Sequence, residues 1–151
     1  MNLQMEINSL KQRVAELEQQ AKQEQDFPQY GDTYWCINAY GGVSKETWDG
    51  YDIEKDMLVI GNGFRTEQEA EFAVEKLKVE AELRKFSRPF MDGEKNNHIK
   101  YRPSFDELSV SASFGYQDQG TIYFESTTIA NEAIDTVGEN RIKKYIFGVE
   151  D

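Results

Sequence analysis

Phe64-Arg-Thr-Glu-Gln-Glu-Ala-Glu-Phe-Ala-Val-Glu-Lys-Leu77 is echoed, at an offset of 60, by Phe124-Glu-Ser-Thr-Thr-Ile-Ala-Asn-Glu-Ala-Ile-Asp-Thr-Val137. In each copy an aromatic residue and a hydroxyl residue precede small and aliphatic residues at helical spacing: Ala70, Ala73, Val74 and Leu77, then Ala130, Ala133, Ile134 and Val137. Thr66 with Glu69 makes a capping box, in which the hydroxyl accepts from the third helical amide and the carboxylate reaches back. Ser126 is the equivalent cap, and Gly138 supplies a stop. The first helix is predicted over about 67–86 with a second stripe of Phe72, Val79, Leu83 and Phe86. So wide an apolar face predicts contact with more than one layer, a sheet on one side and a partner subunit on the other.

Strand signals lead into both helices. Thr33 to Tyr40, Gly41-Gly42, then Val43 to Trp48 read as a hairpin on a two-residue turn, which sets Trp35 across from Trp48 as a core pair. An aromatic platform for a base or a partner loop is the alternative use of that pair. Met57 to Ile60 reads as a short apolar strand followed by the Gly61-Asn62-Gly63 turn. Ser87 to Asn97 reads as a connector. Ile99 and Tyr101 then alternate with Lys100 and Arg102, while Leu108, Val110, Ala112, Phe114 and Tyr116 alternate with Ser109, Ser111 and Ser113, the mark of a half-buried strand. Gln117 to Gly120 turns the chain into a strand over Thr121 to Phe124. The tail 139–149 fits either a short helix or a last strand. The simplest architecture is an α+β domain over 33–151, an antiparallel sheet built of two β-β-β-α halves.

Ahead of this domain, Leu3, Ile7, Leu10, Val14, Leu17 and Ala21 follow at steps of 4, 3, 4, 3 and 4, a heptad stripe with polar residues between. Ile7, Val14 and Ala21 fall at a and Leu3, Leu10 and Leu17 at d, the arrangement that favours two parallel strands. In that register Glu6 faces the partner's Lys11 and Arg13 faces the partner's Glu18, so both interchain pairs attract. Residues 1–26 are therefore predicted to be a parallel coiled-coil dimerisation helix carried by Leu3, Ile7, Leu10, Val14 and Leu17. The alternative is an amphipathic helix folded back on its own domain. Pro28 marks a linker over 27–32.

The chain of 151 residues carries 17 Lys plus Arg against 28 Asp plus Glu, a formal net charge of −11, with a pI near 4.6 and a mean hydropathy of −0.73. That balance argues against direct nucleic-acid binding and against an anionic membrane surface, both of which need concentrated cation. Aromatic residues at 13% argue for a packed core rather than an acidic tail. The acidity is spread over the chain: −2 in residues 1–30, −5 in 31–95 and −4 in 96–151. One Cys (Cys36) and one His (His98) leave no disulfide framework, no Cys/His zinc cage and no ordinary His-dependent triad. Cys36 reads as inert packing and His98 as a solvated loop residue, so no catalytic, metal or cofactor site is predicted. Gly61 to Gly63 ahead of a helix leaves amides that could hold a small anion. The amino terminus lacks a secretory signal, and no stretch reaches the roughly 20 apolar residues of a spanning helix, so the expected compartment is cytosolic.

Asp49-Gly-Tyr-Asp-Ile-Glu-Lys-Asp56 concentrates four carboxylates without the spacing of an EF-hand. A solvated loop is the plain reading, and an acidic contact for a basic protein the functional one. The candidate contact residues are Trp48, Asp49, Tyr51, Asp52, Glu54 and Asp56, with Glu67, Glu69 and Glu71 at the first helix start.

Gly61-Asn62-x-Phe64-x-Thr66-x-x-Glu69-Ala70-Glu71, its continuation through Leu83, and Gly120-x-Ile122-Tyr123-Phe124-x-Ser126 to Gly138 resemble a group of small phage and prophage proteins of Gram-positive bacteria. The resemblance covers roughly 33–148 and implies an accessory phage protein, with no catalytic residues to carry over. Together these readings predict a phage-encoded, acidic, dimeric, non-enzymatic protein in the host cytoplasm. Its partners are a second copy of itself and a basic host protein such as a CRISPR effector nuclease, which it inhibits by protein–protein contact. A nucleotide-sequestering module using Gly61 to Gly63 with Trp35 or Tyr51, and a structural or scaffolding phage component, are the alternatives.

Overall fold

The structure, a computed structural model, describes residues 2–24 and 26–150. Among them the fold is α+β, with five α-helices and two small antiparallel two-stranded sheets. In order these are α1 (Leu3–Glu24), β1 (Thr33–Ile37), β2 (Val43–Thr47), α2 (Asp52–Val59), α3 (Glu67–Arg84), β3 (Asn96–Arg102), β4 (Glu107–Ser113), α4 (Thr127–Val137) and α5 (Glu139–Phe147). The chain divides into two compact units, residues 1–36 with 44–66 and residues 37–43 with 67–151.

In the first unit, α1 starts at Asn2, whose Oδ1 accepts from Met5 N at 2.9 Å, a normal N-cap. Every residue from Asn2 to Ala21 is exposed, the heptad stripe included.

The β1–β2 hairpin departs from its prediction. Asn38 N donates to Gly42 O at 2.9 Å, and Asn38 Oδ1 accepts from Tyr40 N and Gly42 N, each at 3.0 Å. A side chain thus closes a longer loop over 39–41, with Gly41 at φ 78°, in place of a two-residue turn. The register shifts with it: Trp48 N donates to Asp32 O at 2.8 Å, so Trp48 is not opposite Trp35. Trp48 instead meets Tyr34 edge-on at 5.6 Å, while Trp35 carries Lys45 Nζ 5.9 Å above its ring. Tyr34, Cys36 and Trp48 form the core of this unit, with Phe27, Met57 and Leu58 packed on it.

The predicted strand at 57–60 falls on the last turn of helix α2 and its C-cap, Ile60. A short apolar run does not distinguish helix from strand by itself; here Glu54, Met57 and Leu58 share a helical face turned to the core. Beyond it, a Cβ at Gly63 would lie 2.9 Å from Leu58 Cδ1, so a larger residue there would displace the end of that side chain.

In the second unit, Val79 and Leu83 of α3, Phe124 ahead of α4, Ala130, Ala133, Ile134 and Val137 within α4, and Ile142 of α5 form the core, joined by Ile99, Leu108 and Val110 of the β3–β4 sheet. The sheet pairs Ile99 with Val110 and Tyr101 with Leu108. Ser126 caps α4, accepting from Ile129 N at 3.1 Å, as its position predicts. The tail left open between helix and strand is helix α5, tied to α3 by Arg141 and Glu82 at 2.6 Å. α3 buries Ala70 and Val74 early and Val79 and Leu83 late. At 100° per residue these lie on opposite sides of the helix, which mixes the two predicted stripes and leaves Leu77 exposed.

Three strand predictions are corrected. β4 ends at Ser113, and Phe114 and Tyr116 are exposed, because no partner strand continues past Asn96. The predicted strand over 121–124 is reduced to single bridges, Arg88 with Tyr123 and Asn97 with Phe124. The end of the predicted connector is buried strand: Asn96 holds the preceding turn through Met91 N, Met91 O and Glu94 O, all at 2.9 Å. Asn97 Nδ2 donates to Phe124 O at 3.3 Å and Glu125 O at 3.2 Å.

Candidate functional site

The predicted contact residues fall into two groups, one in each unit. In the first, Asp49, Tyr51, Asp52 and Asp56 are exposed on and before α2, while Trp48 and Glu54 are buried. The last two therefore shape the site from beneath. Glu54 accepts from Tyr34 Oη at 2.7 Å through Oε2, and from Asp49 N and Tyr51 N at 3.1 Å through Oε1. The bond from Tyr51 N is the reach-back half of a capping box, so a carboxylate read from sequence as surface charge organises the helix start. Burial works against the Glu54 anion, but these hydrogen bonds outweigh it and hold its carboxyl below the usual range. The same contact raises the Tyr34 phenol well above its ordinary value, with burial as the larger cause and the Glu54 hydrogen bond next.

In the second unit Glu67, Glu69 and Glu71 are exposed at the start of α3. Glu67 and Glu71 line a cleft of about 650 Å³ together with Glu75, Phe72, Tyr145 and the Gly41-Gly42 loop. Glu67, Glu71 and Glu75 follow at steps of four, which stacks them along one helix face. Phe72 and Tyr145 meet with ring centroids 5.0 Å apart and form the aromatic wall. Lys78 pairs with Glu75 at 3.1 Å, and Lys144 Nζ lies 5.6 Å from the Tyr145 ring centroid. Among the described residues Glu67 and Glu71 have no cationic partner. Carboxylates beside aromatic faces suit a guanidinium or ammonium group, through charge-assisted hydrogen bonds and cation–π contact.

No protein-family model, curated protein or solved structure matches the chain. The residues alone carry the functional argument.

Of the residues that line this cleft, Glu67 and Glu71 are among the sequence candidates, and Glu75, Phe72 and Tyr145 are not. The i, i+4, i+8 spacing of the three glutamates was a usable signal. Nothing local could bring in Tyr145, which lies in the tail whose conformation the pattern left open.

Of the residues with potential chemistry, Cys36 is buried, and burial pushes its thiol up, which disfavours the reactive thiolate. His98, read from sequence as solvated, sits in β3 at 6% exposure, edge-on to Tyr123 at 6.0 Å. Among the described residues neither of its ring nitrogens has a hydrogen-bond partner. Cys36 and His98 belong to different units. Among the described residues no three His, Cys, Asp or Glu side chains group as metal ligands, and no helix is long and apolar enough to cross a membrane.

Proposed function

We propose that this chain is the subunit of an acidic dimeric binding protein, phage-encoded by its resemblance, that occupies the nucleic-acid-binding surface of a host defence protein in the host cytoplasm. A CRISPR effector nuclease is the concrete target class. The observation that carries this reading is the α3 cleft, where the unpaired carboxylates of Glu67 and Glu71 lie beside the Phe72–Tyr145 wall. Such a cleft accepts the Lys and Arg side chains that a nuclease uses to hold phosphates.

The exposed stripe of Leu3, Ile7, Leu10, Val14 and Leu17 supports assembly through residues 1–26 as a parallel two-stranded coil, with 27–32 as a linker that is docked on its unit through Phe27 and Gly31. Two chains at −11 each carry −22, a field that speeds encounter with a basic partner and weakens with salt. The reading is tested by inhibition assays of host effector nucleases with the purified dimer and with a Glu67→Lys/Glu71→Lys variant. Inhibition that falls by about tenfold or more in the variant supports it. Absence of inhibition and of salt-dependent association with any host nuclease overturns it.

A further inference from the structure

Helix α2 turns one face to its core and leaves the other without cover. Glu54, Met57 and Leu58 point to Tyr34, Cys36 and Trp48. On the far side, at helical steps of three and four, stand Asp52, Ile53, Asp56, Val59 and Ile60. The three aliphatic residues are 69%, 85% and 79% exposed. Tyr51 stands exposed at the same helix start. Scattered apolar residues on a surface need no explanation, but Ile53 and Val59 of the eight-residue helix and Ile60 at its C-cap fall on one side of it, around Asp56. Neither helix propensity nor capping calls for β-branched residues there. Among the described residues Asp49, Asp52 and Asp56 make no ion pair, and Lys55 lies to one flank of the face.

We infer that this face is a docking surface for a basic amphipathic helix of the captured protein. An aliphatic ridge of the partner would seat against Ile53, Val59 and Ile60, and Lys or Arg one turn apart would meet Asp52 and Asp56. Charge complementarity selects this occupant: the carboxylates are spaced i, i+4, which matches cations at the same spacing on a facing helix, and they repel an acidic one. A rise of 1.5 Å per residue makes the face about 12 Å long, which limits the contact to two or three turns of the partner. The inference rests on the reading of the chain as a capture protein and adds a second contact, with a different balance of forces from the α3 cleft. At the cleft the attraction is cationic; at α2 it combines apolar burial with charge, so it survives salt better.

The test titrates a synthetic Leu/Lys amphipathic helical peptide into the isotope-labelled full-length protein and follows the backbone amide resonances. The expected result is shifts concentrated at residues 49–60. Ile53→Ser/Ile60→Ser should weaken affinity by about tenfold or more, whereas Glu67→Lys/Glu71→Lys should change it by less than about threefold. Raising NaCl from about 50 to 300 mM should weaken binding without abolishing it. Shifts spread over the acidic surface, shifts confined to α3, or no binding would overturn the inference. So would a loss of dimer mass in the Ile53→Ser/Ile60→Ser protein, which would assign the face to a second copy. If nuclease inhibition persists while α2 binds nothing, the docking face falls and the capture reading stands. If α2 binds the peptide and no nuclease is inhibited, the capture reading falls and the surface remains.

Discussion

Replacing both Leu10 and Leu17 by Asp is expected to convert the assembly to monomers. Leu10 is 66% and Leu17 47% exposed in the single chain. Full burial of a Leu side chain is worth about 2 kcal/mol. The fractions still open to water leave about 2 kcal/mol per chain, and about 4 kcal/mol per dimer, to be gained from these two positions when helices associate. Removing that gain raises the dissociation constant by about three decades, and four carboxylates in the seam add repulsion. Sedimentation equilibrium provides the measurement: a chain of 17.5 kDa gives a 35 kDa dimer, and the variant should sediment near the chain mass with its helical and tertiary signals retained. Orientation is read separately by Ile7→Cys under oxidising conditions. A parallel coil crosslinks these positions to each other, whereas an antiparallel one sets them apart. A wild-type protein that is monomeric at micromolar concentration, or a double variant of unchanged mass, refutes the coiled-coil reasoning.

Two further outcomes concern the buried polar groups. Because the Glu54 carboxyl is held below its ordinary value of 4.5, its contribution is fully present above that pH and is lost as pH falls through the lower folded value. Glu54→Gln should thus melt lower than the wild type at pH 7, and the two should converge in acid; a gap that stays constant from pH 7 to acid would contradict this. His98→Phe keeps the ring contact with Tyr123 while removing two unpartnered nitrogens, so thermal unfolding should show a stability that is unchanged or higher by about 1 kcal/mol. A loss of more than about 1 kcal/mol would show that the imidazole has a polar role.

Local signals were readable where one interaction dominates. The helical spacing of the apolar residues in α1, the hydroxyl of Ser126 and the run of Leu108 and Val110 each specify a helix or a strand with little help from the rest of the chain. The misreadings share a cause of the opposite kind. Met57 to Ile60 looked like a strand because its four apolar residues show no period, and the deciding feature was Glu54 reaching back to Tyr51 N. The glycines at 41 and 42 suggested a two-residue turn, but the Asn38 side chain substitutes for a backbone partner and lengthens the loop. Trp48 reads both as half of a core pair with Trp35 and as a contact, and Glu54 as surface charge; each meets Tyr34, a neighbour that only folding supplies. The α3 cleft was half legible for the same reason: its acids lie on one helix, and its aromatic wall needs α5.

The single-residue bridges at Phe64 and Phe124 bear on how such a chain can change over time. Each is held by main-chain groups, Phe64 to Trp35 in both directions at 2.8 and 2.9 Å and Phe124 to Asn97 at 2.8 and 3.4 Å. A main-chain clasp persists through almost any side-chain replacement except proline. Lineages can therefore rewrite the residues around it, and the two halves can drift apart in sequence while keeping the same closure. The outward-facing residues can thus be revised without renegotiating the fold.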